Sequence, residues 1–373
     1  MTERSRQFAR VAASVLAFAA PNIIALGSAR VAWGQAAIRD QSGTLTATSD
    51  ADQKKSWLQQ RFGGSFADFS TYVGSGSFYS SGYSDPYVSN ALFLRPTFNL
   101  GTRFKLSLNA RAYLEEEYTK SDLPNGRSFS PSDSWIYLQA KNLYTMPRAK
   151  VTFGGTLRAV LPTSYESQYA HLVTGLGVTG TVRRSFEFGA PNAQGKRWEL
   201  TLVGGTGIVK FLRTSPLRGG HPGDSTGCRE GAGPSGGASV GGPSETDHCG
   251  GPLSTSYSVT SLANVALSHG RYSLSVSLSV INEFKYTVEA SAFTQALATN
   301  ELNQVPMGRA DLTWGIVSLG YDLTDHWSLS LGVASFQPAL DSRYQNLRFP
   351  FFDFSGPNAN NMTQAFVGVT GTL

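Results

Sequence analysis

Beyond Gly63 the chain alternates apolar and polar residues with a period of two. In Thr102–Glu115, Phe104, Leu106, Leu108, Ala110, Ala112 and Leu114 share one face. Arg103, Lys105, Ser107, Asn109, Arg111 and Tyr113 share the other. In 271–280, Tyr272, Leu274, Val276, Leu278 and Val280 alternate with serines, and 150–161 and 327–334 behave alike. Side chains alternate across a strand, so each segment predicts a β-strand with one apolar and one polar face. The pattern predicts about twelve strands: 65–76, 89–100, 102–117, 132–144, 148–161, 169–188, 196–211, 255–268, 271–285, 307–323, 326–338 and 361–373. The 307–323 segment slips phase near Ile316–Ser318, which predicts a bulge there. Before the strands, Ser49 or Asp50 is placed to cap a short helix through Arg61.

A strand with two unlike faces suits a soluble sandwich or a membrane barrel. The connections favour the barrel. Short links at 100–102, 144–148, 190–195, 268–271 and 323–325 alternate along the chain with long ones at 77–88, 118–131, 162–168, 212–254, 286–306 and 339–360. In an up-and-down barrel this parity puts every short turn at one end and every long loop at the other, the arrangement of periplasmic turns and external loops. Aromatic residues cluster at strand ends, with Phe104, Tyr144, Trp198, Tyr272, Tyr321 and Trp327 at the short-turn end and Tyr118 and Tyr257 at the other. Amphipathic rings favour a membrane interface. The expected fold is all-β, an antiparallel up-and-down transmembrane β-barrel closed so that the sheet has no edges.

Residues 1–36 carry the pattern of a secretory signal. Arg4, Arg6 and Arg10 precede an apolar stretch from Val11 to Gly27, and Gly34 and Ala36 supply small residues for cleavage. The signal changes the meaning of the charge. The whole chain has a net charge of +5, from 31 basic and 26 acidic residues. Removing the signal takes away four arginines and Glu3, leaving a net of about +2, so nucleic acid is not expected as a partner. Charged residues make up only 15% of the chain, as expected if one face of the sheet meets hydrocarbon. Residues 37–63 are polar and read as a periplasmic or plug-like segment, leaving 64–373 for the barrel.

The last strand places Ala365, Val367, Val369, Gly371 and Leu373 on one face and Gln364, Thr370 and Thr372 on the other. It resembles the C-terminal assembly signal of bacterial outer-membrane barrels, although it ends in Leu373 and carries Phe366 on the polar face. With the strand and loop pattern, residues 64–373 resemble a bacterial outer-membrane β-barrel of the porin and transporter superfamily. The stretch Leu157–Ser167 is similar to a Pro-Thr-small-residue segment of barrels that carry hydrophobic compounds, of the long-chain fatty-acid transporter type. The resemblance implies residence in the outer membrane of a Gram-negative bacterium, contact with its lipid and lipopolysaccharide, and delivery to the barrel assembly machinery through the last strand. It implies no cofactor and leaves the oligomeric state open.

With the apolar face outward, Arg95, Arg103, Lys105, Arg111, Lys141, Lys150, Arg158, Arg183 and Arg197 point into the lumen, with Glu115 and Glu199 among few acids and Glu283 and Lys285 further on. Basic wall residues favour anions in a pore. The expected role is passive passage of a small solute, anionic or hydrophobic, gated by 37–63 or by the 212–254 loop. The alternatives are a non-conducting scaffold or adhesin and a barrel-embedded hydrolase. For hydrolysis only His171 beside Ser167 is placed to serve, and no nucleophile motif surrounds it, so no catalytic residue is expected. Cys228 and Cys249 lie in the Gly/Pro/Ser-rich long loop. Export predicts a disulfide between them rather than a metal site, worth about 3 kcal/mol by loop entropy. Glu115–Glu117 end a strand at the predicted outer rim and read as a solvated strand end rather than an ion site.

Overall fold

The computed structural model describes residues 57–78, 87–101, 104–119, 127–192, 195–214, 254–286, 309–340, 346–352 and 362–373. Residues 1–56, which hold the expected signal and helix cap, and Arg103, Cys228 and Cys249 lie outside these. The strands are β1 (Phe66–Gly74), β2 (Val88–Arg95), β3 (Thr97–Gly101), β4 (Leu106–Glu117), β5 (Ser128–Pro131), β6 (Ser134–Met146), β7 (Val151–Leu161) and β8 (Leu172–Phe188). They continue with β9 (Trp198–Arg213), β10 (Thr255–His269), β11 (Tyr272–Lys285), β12 (Arg309–Asp322), β13 (Trp327–Pro338) and β14 (Met362–Thr372). Helix α1 (Trp57–Phe62) precedes them and α2 (Tyr165–Tyr169) sits in the loop after β7.

All pairings are antiparallel and the sheet closes. Twelve wall positions result, because two are occupied by broken strands. β2 and β3 both pair β4, parted at Pro96, and β5 and β6 both pair β4, parted at Ser132 and Asp133. Proline has no N–H for the ladder, but its carbonyl still accepts from Ala110 at 3.1 Å, and Ser132 N donates to Tyr113 O at 2.9 Å. The wall therefore keeps part of its pairing through both breaks. The barrel closes where β1 meets β14, in register from Phe66 opposite Thr372 to Gly74 opposite Gln364. Leu373 N donates to Ser65 O at 3.0 Å and finishes the seam.

Side-chain exposure sorts the two faces as the alternation predicts. On β4, Ser107, Asn109, Arg111, Tyr113 and Glu115 are buried in the lumen, while Leu108 is exposed on the outside. Leu157, Leu176, Leu319, Leu331 and Val367 are each more than half exposed around the outer wall. At the short-turn end exposed rings pair across neighbouring strands: Tyr144 with Phe153, Phe188 with Trp198, and Tyr272 with Tyr321, at centroid distances of 6.2, 6.5 and 5.0 Å. Trp198 also stacks on His269 at 4.4 Å. At the opposite end Tyr257 stacks on Phe284 at 4.5 Å. Helix α1 packs by Phe62 against Phe98 of β3, centroids 5.5 Å apart, and Asn99 Nδ2 donates to Gly63 O at 3.0 Å.

The expected bulge near Ile316–Ser318 is absent. β12 pairs β11 and β13 through this stretch without a register shift. The phase slip has another origin. Trp314 and Ile316 face the lumen and belong to an internal apolar cluster. On the outer face, Thr313, Ser335, Gln337 and Thr363 are buried although their neighbours along the strands face lipid. Residues 346–352 return from the loop after β13 and cover them. Leu347 bridges Leu340, Arg348 N donates to Ala339 O at 3.0 Å, and Gln337 Nε2 donates to Phe349 O at 2.6 Å. Gly315 lies beneath this strap: a Cβ there would collide with the Pro350 carbonyl and come within 2.8 Å of Phe351. Within the strap the Phe349 ring meets those of Phe351 and Phe352, at centroid distances of 5.6 and 4.9 Å.

Candidate functional site: the lumen

Two regions divide the lumen. Around β12, β13, β14, β1, β2 and β4, large side chains fill it: Phe66, Tyr72, Phe93, Tyr113, Trp314, Ile316 and Phe366 form one buried cluster. These residues stand in phase with the polar positions of their strands, as Phe366 does with Gln364 and Thr370, so the polar face is not polar throughout. The signal in the sequence is an aromatic or apolar residue in polar phase, as at Tyr113 and Phe366. Val160, Leu172, Val209 and Phe211 form a second cluster on the opposite wall.

Between them lies a cavity of about 210 Å³. Its basic side comes from consecutive wall strands: Arg111 of β4, Lys141 of β6, Arg158 of β7 and Arg183 of β8. Register explains why these side chains converge. Arg111 stands opposite Trp135, Tyr137 opposite Arg158, and Arg158 opposite Gly177. The Arg111 and Arg158 guanidinium carbons lie 4.2 and 4.5 Å from the Trp135 ring centroid. Such contacts stabilise a cation by about 0.5–1 kcal/mol at exposed sites and by about 2 kcal/mol or more when it is desolvated. Gly177 leaves room for Arg158, since a Cβ there would come within 3.0 Å of its Nε. The far side is apolar and hydroxylic: Leu262, Ile281, Leu312, Trp314 and Phe336, with Ser258, Thr260 and Ser279. Glu283 is the acid of this lining, and it pairs with Lys285 at 2.8 Å while accepting from Thr255 at 3.1 Å.

Four of the basic residues read from the sequence thus meet in one cavity, and others do not. Arg95 is buried nearer the short-turn end, its guanidinium 4.3 Å from the Phe66 ring and donating to Gly64 O at 3.3 Å. Glu199 lies on the lumen side and accepts from Thr201 at 3.1 Å. Lys105 and Lys150 stand in short turns with φ of 46° and 52°, exposed outside the wall, and Arg197 precedes β9. The reason is strand length: β4, β7 and β9 begin at 106, 151 and 198, later than the alternation suggested.

Other polar groups serve the wall. Glu115 accepts from the Tyr87 hydroxyl and from Tyr113 at 3.4 Å, so it is held inside rather than solvated at a rim. Beyond β4, burial raises the Tyr118 phenol above its ordinary pKa, helped by its hydrogen bond to Glu116. Ser167, the candidate nucleophile, is buried and donates to Asp133, which also accepts from Ser164 N at 3.0 Å. Ser164 in turn caps α2. His171 is exposed at a φ of 52°. The Ser167 hydroxyl is therefore engaged in anchoring α2, with its proton directed at a carboxylate.

A closed antiparallel sheet with an apolar outer belt, aromatic rings at both ends and a polar lumen wall admits one environment. The chain is a membrane-spanning antiparallel β-barrel. Neither a family model nor a curated protein matches the sequence. Among solved structures, an outer-membrane channel from Pseudomonas putida F1 is similar at a TM-score of 0.45 and 13% identity, over 83% of this chain and 95% of that one. Outer membrane phospholipase A from Escherichia coli is similar at 0.29 and 11% identity, over 82% and 91%. A porin is similar at 0.29 and 9% identity, over 83% and 99%.

Proposed function

We propose that this barrel is a channel for passive passage of small solutes, with a preference for anions. The observation that carries the reading is the bias of the cavity wall, where Arg111, Lys141, Arg158 and Arg183 face a space whose acid, Glu283, is already paired with Lys285. Fixed positive charge in a narrow, partly desolvated passage lowers the energy of an anion and raises that of a cation. Arg183 and Lys141 are the exposed members of the four, so a solute meets them first. Selection here needs width and wall charge, with no covalent chemistry.

The packed aromatic cluster favours a second reading, a barrel closed along its length and acting as a surface scaffold. Planar-bilayer recording separates the two. Under a potassium chloride gradient the channel reading expects discrete openings with a reversal potential on the chloride side, shifted toward the cation side in Arg183→Glu. Absence of openings from protein with the heat-dependent electrophoretic mobility of a folded barrel supports the scaffold. Openings that prefer cations overturn the anion preference.

A further inference from the structure

The cavity is polarised across its width. Its cations come from β4, β6, β7 and β8, whereas Leu262, Ile281, Leu312, Trp314 and Phe336 come from β10 to β13 on the facing wall. An inorganic anion would meet the first wall and only the hydroxyls of Ser258, Thr260 and Ser279 on the second, gaining nothing from its apolar side chains. A neutral apolar solute would gain from the second but would leave the guanidinium groups desolvated against it, which is unfavourable. The volume, about 210 Å³, is below the range of pockets that take drug-sized ligands. The solute matching both walls is a small amphipathic monoanion.

Building on the channel reading, we propose that the cavity is a binding site for small organic carboxylates with an apolar body, of the size of a single-ring aromatic acid. The carboxylate is held at the basic wall, with Arg183 its principal partner. Arg183 is exposed in the lumen, and a guanidinium offers the forked donor geometry that a carboxylate accepts. Arg158 and Arg111 are drawn against Trp135 and supply a positive field behind it. The ring of the solute lies toward Trp314, Leu312 and Phe336. The site gives the passage a reason to favour organic anions over chloride.

The test compares benzoate with benzamide, its neutral near-isostere, and with inorganic phosphate, on the full chain folded in detergent, by isothermal titration calorimetry. Benzoate is expected to bind about tenfold more tightly than either comparator, the scale of one charge-assisted hydrogen bond. Arg183→Gln should remove the advantage over benzamide and Arg183→Lys should restore part of it. Phe336→Ala should weaken benzoate and leave phosphate unchanged. Electrophoretic heat-modifiability reports folding of each variant independently. Equal binding of benzoate and benzamide overturns the carboxylate assignment, and equal binding of benzoate and phosphate overturns the amphipathic one. Because binding is read in detergent, it is separate from conduction. Protein that binds benzoate but never opens keeps the site and removes the channel. Protein that conducts chloride but does not distinguish the three probes keeps the channel and removes the site.

Discussion

Tyr72 of β1 and Phe366 of β14 meet inside the barrel across the seam that joins its first and last strands, with ring centroids 5.6 Å apart. Both are almost fully buried. Beside them Thr370 Oγ1 donates to Asp68 Oδ2 at 2.7 Å and Ser70 Oγ donates to Asp68 Oδ1 at 2.8 Å. The seam is thus held by backbone pairing, an aromatic contact and a carboxylate shared between the two strands. Truncating Phe366 to Ala leaves a cavity where the aromatic cluster adjoins the closure, and such truncations lower stability by about 3–5 kcal/mol. Reversible urea unfolding in lipid vesicles should show this loss. Phe366→Leu, which keeps most of the volume, should show a smaller one. A variant Phe366→Ala as stable as the parent would mean the ring cluster is not part of what closes the barrel.

Adjacent residues on β8 test the orientation of the wall. Val178 is half exposed on the outer belt near the middle of the strand, and Thr179 lines the cavity. Arginine placed in hydrocarbon near the midplane costs about 2–4 kcal/mol in such barrels, whereas lumen positions chiefly tune selectivity. Val178→Arg should therefore lose that stability in vesicles. Thr179→Arg should lose much less and should strengthen anion preference. Reversed behaviour of the pair would place the strand one residue out of phase.

The strap over the outer wall makes a separate expectation. Gly315 has no room for a side chain, because Pro350 and Phe351 lie on it, and Gln337 holds Phe349 by its backbone carbonyl. Gly315→Val should displace residues 346–352 and expose Thr313, Ser335 and Thr363 to lipid, with faster proteolysis between Leu347 and Phe352. Gln337→Leu should loosen the strap by about 1 kcal/mol, the net contribution of one hydrogen bond. Unchanged cleavage rates in both variants would show that the contact does not hold the segment.

These residues also mark where the sequence stopped being legible. Strand number, alternation and loop parity were readable because period two in the side chains is imposed by the backbone itself. The basic side of the cavity followed from the same alternation, since Arg111 and Arg158 each occupy a polar phase between apolar neighbours, and Arg183 follows Val182 in the same phase. The lumen aromatics were not readable as a group. Tyr72, Phe93, Trp314 and Phe366 come from four strands, and only the closed order of the sheet makes them neighbours. The slip at Ile316 looked like a bulge because a binary pattern has no symbol for an apolar residue facing inward beside a glycine roofed from outside. Turn positions such as Lys105 and Lys150 continue the wall pattern because a turn's last residue and the following strand's first share the same alternation.

The room around Arg158 is set by its cross-strand neighbour. A Cβ on Gly177 would come within 2.8 Å of Ile208 O and of a Val209 methyl, and within 3.0 Å of Arg158 Nε. The Ile208 carbonyl is backbone and cannot rotate away, so the two side chains, the Val209 methyl and the Arg158 guanidinium, are what can yield, and overpacking of this kind lowers stability by about 1–3 kcal/mol. Gly177→Ala should therefore weaken the barrel and also move Arg158 from Trp135, changing the tryptophan emission and reducing anion preference in bilayer recordings. Gly180 on the same strand provides the control, because a Cβ there meets nothing within 4 Å. Gly180→Ala should leave stability, emission and selectivity unchanged. If Gly177→Ala lowers stability alone, with selectivity and emission intact, Arg158 is a packing residue and the positive field of the cavity comes from Arg183 and Lys141.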